Sequence, residues 1–148
     1  MLRQRPAFTV PELITTLVLL GILFGTAVPA FRHAIDVVSV RAARDTIVGA
    51  AARARALAVA RGDAQLVVDE AAGIVAMAIN RGAQRISETD LGDRYGVTMR
   101  IANSTRPIAV VDYDGLGIGR FANLTVQLQR RSASGGVTFS AYGRPRAW

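Results

Sequence analysis

The sequence predicts an α+β protein: one long N-terminal helix, its first half of membrane-spanning length, packed against an antiparallel β-sheet. Three observations predict it. Leu13 to Phe31 are nineteen consecutive residues without a charge. From Val37 to Arg61, apolar residues recur at spacings of three and four, the period of a helix face. Beyond Gly62 the pattern changes to short alternating runs between turn residues, the mark of strands and hairpins.

The uncharged run comes first. At about 1.5 Å rise per residue it makes about 28 Å of helix, close to the ~30 Å hydrocarbon core of a bilayer. A buried soluble helix would show an amphipathic stripe, and none is visible. A cleaved secretory signal could use Val28-Pro29-Ala30 as a small-residue site, but its apolar region would be longer than usual. A retained membrane helix fits best. Arg3 and Arg5 precede the run and place the N-terminus on the cytoplasmic side, with the C-terminal bulk across the membrane. His33 falls just beyond the span, as a membrane-interface residue.

The second half of the helix carries Val40, Ala43, Ile47, Ala50, Ala51, Ala54, Leu57 and Ala58 on one face. Arg41, Arg44, Asp45, Arg53 and Arg61 fall largely elsewhere. Gly62-Asp63 is the stop signal, so one helix runs from about Thr9 to Arg61. Gly21, Gly25 and Pro29 are its flexible points, and Pro29 is the expected kink. The many alanines let a sheet approach closely.

The strands follow in order. Ala64–Glu70 and Gly73–Ile79 form a hairpin around Ala71-Ala72. Residues 80–94 are polar and expected as loop. Tyr95–Ala102 alternates with Val97, Met99 and Ile101 on one face. Pro107–Tyr113 is an apolar strand, and Asp114–Gly119 is a turn region. Asn123–Gln129 alternates with Leu124, Val126 and Leu128 inward. Gly136–Tyr142 is the last strand, with Val137 and Phe139 on one face.

Composition bounds the chemistry. The chain has 148 residues, 51% of them hydrophobic, with no cysteine and one histidine. One domain of this length buries a core without staples. Disulfides, thiol catalysis, cysteine-based zinc sites and two-histidine metal sites are excluded. No catalytic constellation is visible, and no metal or cofactor is expected. Asp69-Glu70 and Asp112/Asp114 sit at hairpin and turn positions that favour acids for structural reasons. A calcium site at Asp112/Asp114 would need a ligand loop beyond two acids. The glycines of Asp114–Gly119 lack the lysine and following helix of a phosphate loop.

Net charge is +7, unevenly spread. Residues 1–62 carry +5, residues 63–114 carry −3, and residues 115–148 carry five arginines and no acid. A basic tail on a nearly neutral body suggests either a local anionic partner or a solvated sheet edge.

The stretch Arg5-Pro6-Ala7-Phe8-Thr9-Val10-Pro11-Glu12-Leu13, the apolar run and then Pro29 resemble the class III signal of type IV pilins and type II secretion pseudopilins. The resemblance implies a leader of residues 1–7 and cleavage between Ala7 and Phe8 by a prepilin peptidase, which methylates the new N-terminus. Glu12 becomes the fifth mature residue, where the family keeps its acid, and Pro29 becomes the kink. Ala7 stands where glycine is usual, and Pro11 where an aliphatic is usual. A carboxylate at the edge of an apolar helix is costly and normally paired. In a stack of such helices, Glu12 would meet the N-terminal amine of a neighbour's Phe8 and set axial register. Within one chain it would pair near Arg3 or Arg5.

The element order, the arginine- and alanine-rich helix ending at Arg61-Gly62, the Asp114-Gly115 turn and the ending Gly143-Arg144-Pro145-Arg146 also resemble the GspH/FimT minor pseudopilins. That resemblance implies segments 8–31 for membrane and assembly, 32–62 for the amphipathic half-helix and 63–148 for a β head. It implies a structural, non-enzymatic protein of the bacterial inner membrane, single-pass, with its head outside the cytoplasm. Other pseudopilins or pilins, and secreted cargo, are the implied partners of a subunit near a filament tip. In DNA-binding members of the FimT branch a Gly-Arg-x-Arg ending contributes to DNA binding during natural transformation. Arg144 and Arg146 match it, and Arg120, Arg130 and Arg131 could extend the patch. Guanidinium groups suit phosphate through bidentate contacts.

Overall fold

A computed structural model describes residues 9–102, 104–120 and 123–148. Helix α1 spans Val10–Arg61. The chain divides into two compact units at Ile35 and Asp36, taken here in turn.

In the first unit, α1 is exposed from Val10 to Ile35, with Ala27 alone half-buried. Its start follows from the sequence. Thr9 precedes the first helical residue, and Glu12 reaches back to accept the Thr9 N–H at 3.0 Å. That is one arm of a capping box, which satisfies an amide the helix cannot. Pro11 costs nothing here, because amides of the first turn lack helical partners. Thr15 and Thr16 turn their hydroxyls onto the carbonyls of Pro11 and Glu12 at 2.9 and 2.7 Å, which hides their polarity from an apolar surrounding. Helical conformation continues through Gly21, Gly25 and Pro29.

In the second unit, α1 from Asp36 onward buries Val40, Ala43, Ile47, Ala50, Ala51, Ala54 and Ala58. The β elements are β1 (Asp63–Asp69), β2 (Ile74–Ile79), β3 (Gln84–Asp90), β4 (Thr98–Ala102), β5 (Ile108–Asp114), β6 (Leu124–Arg130), β7 (Ala133–Phe139) and β8 (Pro145–Ala147), with a short helix α2 (Leu91–Tyr95) between β3 and β4. The inner faces of β1, β2, β4, β5, β6 and β7, Leu91 of α2 and the buried face of α1 share one hydrophobic cluster.

Several expectations are corrected. The single antiparallel sheet is two four-stranded antiparallel sheets, ordered β3-β2-β1-β5 and β4-β6-β7-β8. Residues 80–94 are not loop: β3 and α2 lie within them. β3 is an edge strand whose residues are exposed or half-buried, so it has no buried face and shows no apolar alternation. α2 is too short for periodicity but carries its own signals. Asp90 caps it by accepting the Asp93 N–H at 2.8 Å, and Gly96 ends it with φ +63°, as left-handed C-terminal caps require. Tyr95 belongs to α2 rather than to β4. The strand expected last, at Gly136–Tyr142, is β7 at Ala133–Phe139, and it is not the last: Ser140–Arg144 turn the chain back into β8.

Candidate functional site

Three features could carry function: the exposed half of α1, the acids singled out in the turns, and the arginines of the C-terminal third.

The first is a surface in search of cover. Leu13, Ile14, Leu17, Val18, Leu19, Ile22, Leu23 and Phe24 are each more than half exposed. The most apolar window of α1 has a mean hydropathy of 2.1, and none of it is buried. The helix is long and apolar enough to cross a membrane. Glu12 opens it with an exposed carboxylate whose Oε2 accepts both the backbone N–H and the hydroxyl of Thr9. Its partner within the described residues is therefore Thr9; the expected cleavage positions Ala7 and Phe8 lie outside them, as do Arg3 and Arg5.

The acids hold backbone in place. Asp69 accepts the Ala72 N–H at 3.1 Å and closes the β1–β2 turn. Glu70 accepts the Ile101 N–H of β4 at 2.9 Å. Asp114 accepts the Leu116 and Ile118 amides at 3.0 and 2.9 Å, an Asx-type turn. Asp112 accepts the side-chain amide of Gln65. Among the described residues no group of three potential ligand side chains converges on a metal position.

The tail arginines divide into two sets. Arg130 and Arg131 close the β6–β7 hairpin and turn toward Asp36. Arg130 Nε lies 2.9 Å and Arg131 Nη1 3.5 Å from the same oxygen, Asp36 Oδ1. Arg130 Nη1 also donates to Ser39 Oγ at 2.6 Å and to the Tyr95 carbonyl. Arg130 therefore ties β6, α2 and the start of the packed half of α1 together. Of the two arginines expected to extend an anion-binding patch, Arg130 is held by the buried Asp36 carboxylate, whereas Arg131 keeps a side chain that is 69% exposed. Arg144 and Arg146 are exposed and sit beyond the opposite end of β7 or opposite Thr138. Arg120 is exposed and approaches Asp114 Oδ2 at 3.9 Å.

The glycine of Gly143-Arg144 has a structural duty. Gly143 has φ +71°, and a Cβ there would meet Tyr113 Cε1 at 2.8 Å. Gly119 crosses it so closely that its own Cβ would lie 2.6 Å from Gly143 Cα. Tyr113 Oη donates to the Gly143 carbonyl at 2.8 Å. Burial pushes the Tyr113 phenol up to about 12, the nearby Arg55 opposing in part.

Asp36 is the residue sequence reasoning missed. A signal was present: it lies four residues before Val40 and seven before Ala43, in phase with the buried face. An acid on an apolar stripe needs a partner inside the protein.

No family model and no curated protein matches the sequence. Solved structures do. The type IV minor pilin FimU of Pseudomonas aeruginosa is 12% identical with a TM-score of 0.57, over 74% of this chain and 87% of that one. A second crystal form of FimU gives 0.54 over 73% and 91%. The minor pseudopilin EpsH of the Vibrio cholerae type 2 secretion system is 12% identical with a TM-score of 0.57, over 74% of this chain and 96% of that one. The fold is thus pilin-like, a long apolar N-terminal helix joined to antiparallel sheets.

Proposed function

We propose that this chain is a minor pseudopilin, a non-enzymatic structural subunit of a type II secretion pseudopilus or a related type IV pilus-like filament. One observation carries the reading: an apolar helical surface from Val10 to Ile35 with no cover of its own, in a pilin-like fold. In water such a surface is untenable. Lipid would cover it before assembly, and the helices of neighbouring subunits afterwards. The subunit then crosses the inner membrane once, N-terminus in the cytoplasm and head outside. The head lies near the filament tip, where it meets other pseudopilins and secreted cargo.

Processing and register follow. Prepilin peptidase cuts between Ala7 and Phe8 and methylates Phe8. Among the described residues both Thr9 bonds use Glu12 Oε2, and the carboxylate's other oxygen would meet the amine of a neighbour's Phe8. Pro29 is the bend point, since its ring displaces a helical hydrogen bond. N-terminal sequencing of the mature protein tests the reading. A start at methylated Phe8 is expected; a start at Phe31 or an intact leader overturns it. Glu12→Ala should leave the protein in the membrane and out of filaments.

A second reading is a minor pilin that captures DNA. What supports it is the exposure of Arg144 and Arg146 in the Gly-Arg-x-Arg ending. The protein should then bind duplex DNA at low salt and lose binding on Arg144→Gln with Arg146→Gln. Unchanged binding in that double variant removes the tail from this reading.

A further inference from the structure

The outer face of the sheet β4-β6-β7-β8 is built differently from the rest of the surface. Its inner face is apolar, with Met99, Ile101, Leu124, Val126, Leu128, Val137 and Phe139 buried. The alternate residues point outward. Register aligns them in two rows. Arg100 stands opposite Gln127, Gln127 opposite Gly136, and Gly136 exchanges both backbone hydrogen bonds with Trp148 at 3.1 Å. In the next row Thr125 stands opposite Thr138, and Thr138 opposite Arg146. Residues 98–102 and 123–148, which form this sheet, contain no acid.

Trp148 is held in place on this face. Its indole occupies the space that a Cβ on Gly136 would fill, 2.6 Å from Cζ2 and 2.9 Å from Cε2. Its Nε1 donates to Thr138 Oγ1 at 3.2 Å. Even so, 55% of the residue is exposed. A fixed, half-exposed aromatic plane among hydroxyls, an amide and guanidinium groups is a preorganised surface. Arg100 and Gln127 also line a groove of about 610 Å³ that adds Arg106. Glu70 is the acid in that groove, and its Oε2 accepts the Ile101 N–H.

We propose that this face binds an acidic polysaccharide, a chain of hydroxylated rings bearing carboxylates. The apolar C–H face of one ring lies on the Trp148 indole. Ring hydroxyls meet Gln127 and the threonines, and carboxylates meet Arg100 and Arg146 through forked hydrogen bonds. Arg100 and Arg146 are separated by three strand spacings, ~14 Å, and by two residues along the strands, ~7 Å, so about 16 Å in all, and the ligand is a polymer of several rings. A nucleic-acid strand fits less well. It carries a charge on every nucleotide and calls for a cationic groove with several stacking positions. Here Gln127, Thr125 and Thr138 are interspersed with the guanidinium groups of Arg100, Arg106 and Arg146, and Trp148 is the ring held on this face among the described residues.

Trp148 is the chain's one tryptophan, so its fluorescence reports on this face alone. The test titrates the full chain in detergent micelles with polygalacturonate, with neutral dextran and with a single-stranded oligonucleotide. Polygalacturonate should change the emission saturably and dextran should not. Arg100→Gln and Arg146→Gln should each weaken the binding about tenfold, the size of one charge-assisted hydrogen bond, with unfolding unchanged. Trp148→Phe, followed by calorimetry, should retain more binding than Trp148→Ala. No response to polygalacturonate, an equal response to dextran, tighter binding of the oligonucleotide, or binding indifferent to both arginines overturns the proposal. None of these outcomes bears on where the leader is cut, so the pseudopilin reading stands or falls separately.

Discussion

Replacing Arg130 by glutamine should destabilise the protein by about 2–3 kcal/mol, less than the ~3–5 kcal/mol of a fully buried pair losing one partner. The difference comes from exposure. Asp36 is 3% exposed at its side chain and Arg130 25%, so water reaches the guanidinium but scarcely the carboxylate. Without Arg130, Asp36 keeps Arg131, at 3.5 Å, and Ser39 and the Tyr95 carbonyl each lose a donor. Arg131→Gln should cost no more than about 0.5 kcal/mol, because its side chain is 69% exposed and such pairs contribute little. Asp36→Asn should fall between the two, about 1–2 kcal/mol, since Arg130 retains its two other acceptors and partial hydration. The assay is reversible urea unfolding of the full chain in micelles, with a double-mutant cycle on Asp36 and Arg130. A coupling above ~1 kcal/mol is expected. Equal effects of Arg130→Gln and Arg131→Gln, or a coupling near zero, would refute the assignment of Arg130 as a clamp.

Other substitutions probe the packing. Gly49→Ala should stabilise α1 by up to ~1 kcal/mol, because a Cβ there meets only Arg53 Nη1, at 3.9 Å; a loss of stability in thermal melts would contradict it. Gly119→Ala should cost at least about 2 kcal/mol, because its Cβ would strike backbone at 2.6 Å; wild-type melting would mean that the crossing with Gly143 is looser than described. Tyr113→Phe should cost about 1–3 kcal/mol by leaving the buried Gly143 carbonyl without its donor. The same phenol makes stability depend on alkaline pH. Its folded pKa, about 12, lies above the ordinary 10.0, so its contribution is complete below pH 10 and is lost as pH rises through 12. Tyr113→Phe should flatten that loss, and an unchanged slope would assign it to other groups.

Much of this architecture was legible because it follows from periodicity. The buried face of α1 matches the spacing of Val40, Ala43, Ile47 and Ala54, and β1, β2, β5 and β6 begin and end within a residue or two of their alternating runs. β3 was not legible, since an edge strand with polar residues on both faces has no burial to imprint a pattern. The division into two sheets was not legible either, because alternation says which residues face inward but not which strands pair. The arginines show the same limit. Their sequence proximity suggested one basic patch, yet Arg130 and Arg131 serve a carboxylate some ninety-five positions away, a partner that composition cannot reveal. Arg144 kept its exposure, and its glycine neighbour proved to be a packing requirement set by Tyr113 and Gly119.

Because α1 is continuous through Ile35 and Asp36, tension applied to its apolar half enters the globular unit at Asp36. The first side chain to resist it is one carboxylate oxygen gripped by two guanidinium groups. Behind that grip stands Val40, against which a Cβ on Gly135 would sit at 3.1 Å, and then the fully buried Ile47 among alanines that let the helix pack closely. Farther along, Thr46 Oγ1 lies 2.8 Å from Tyr95 Oη and Arg55 Nε donates to the Gly117 carbonyl at 2.9 Å, so resistance to pulling is carried along the whole packed half of α1.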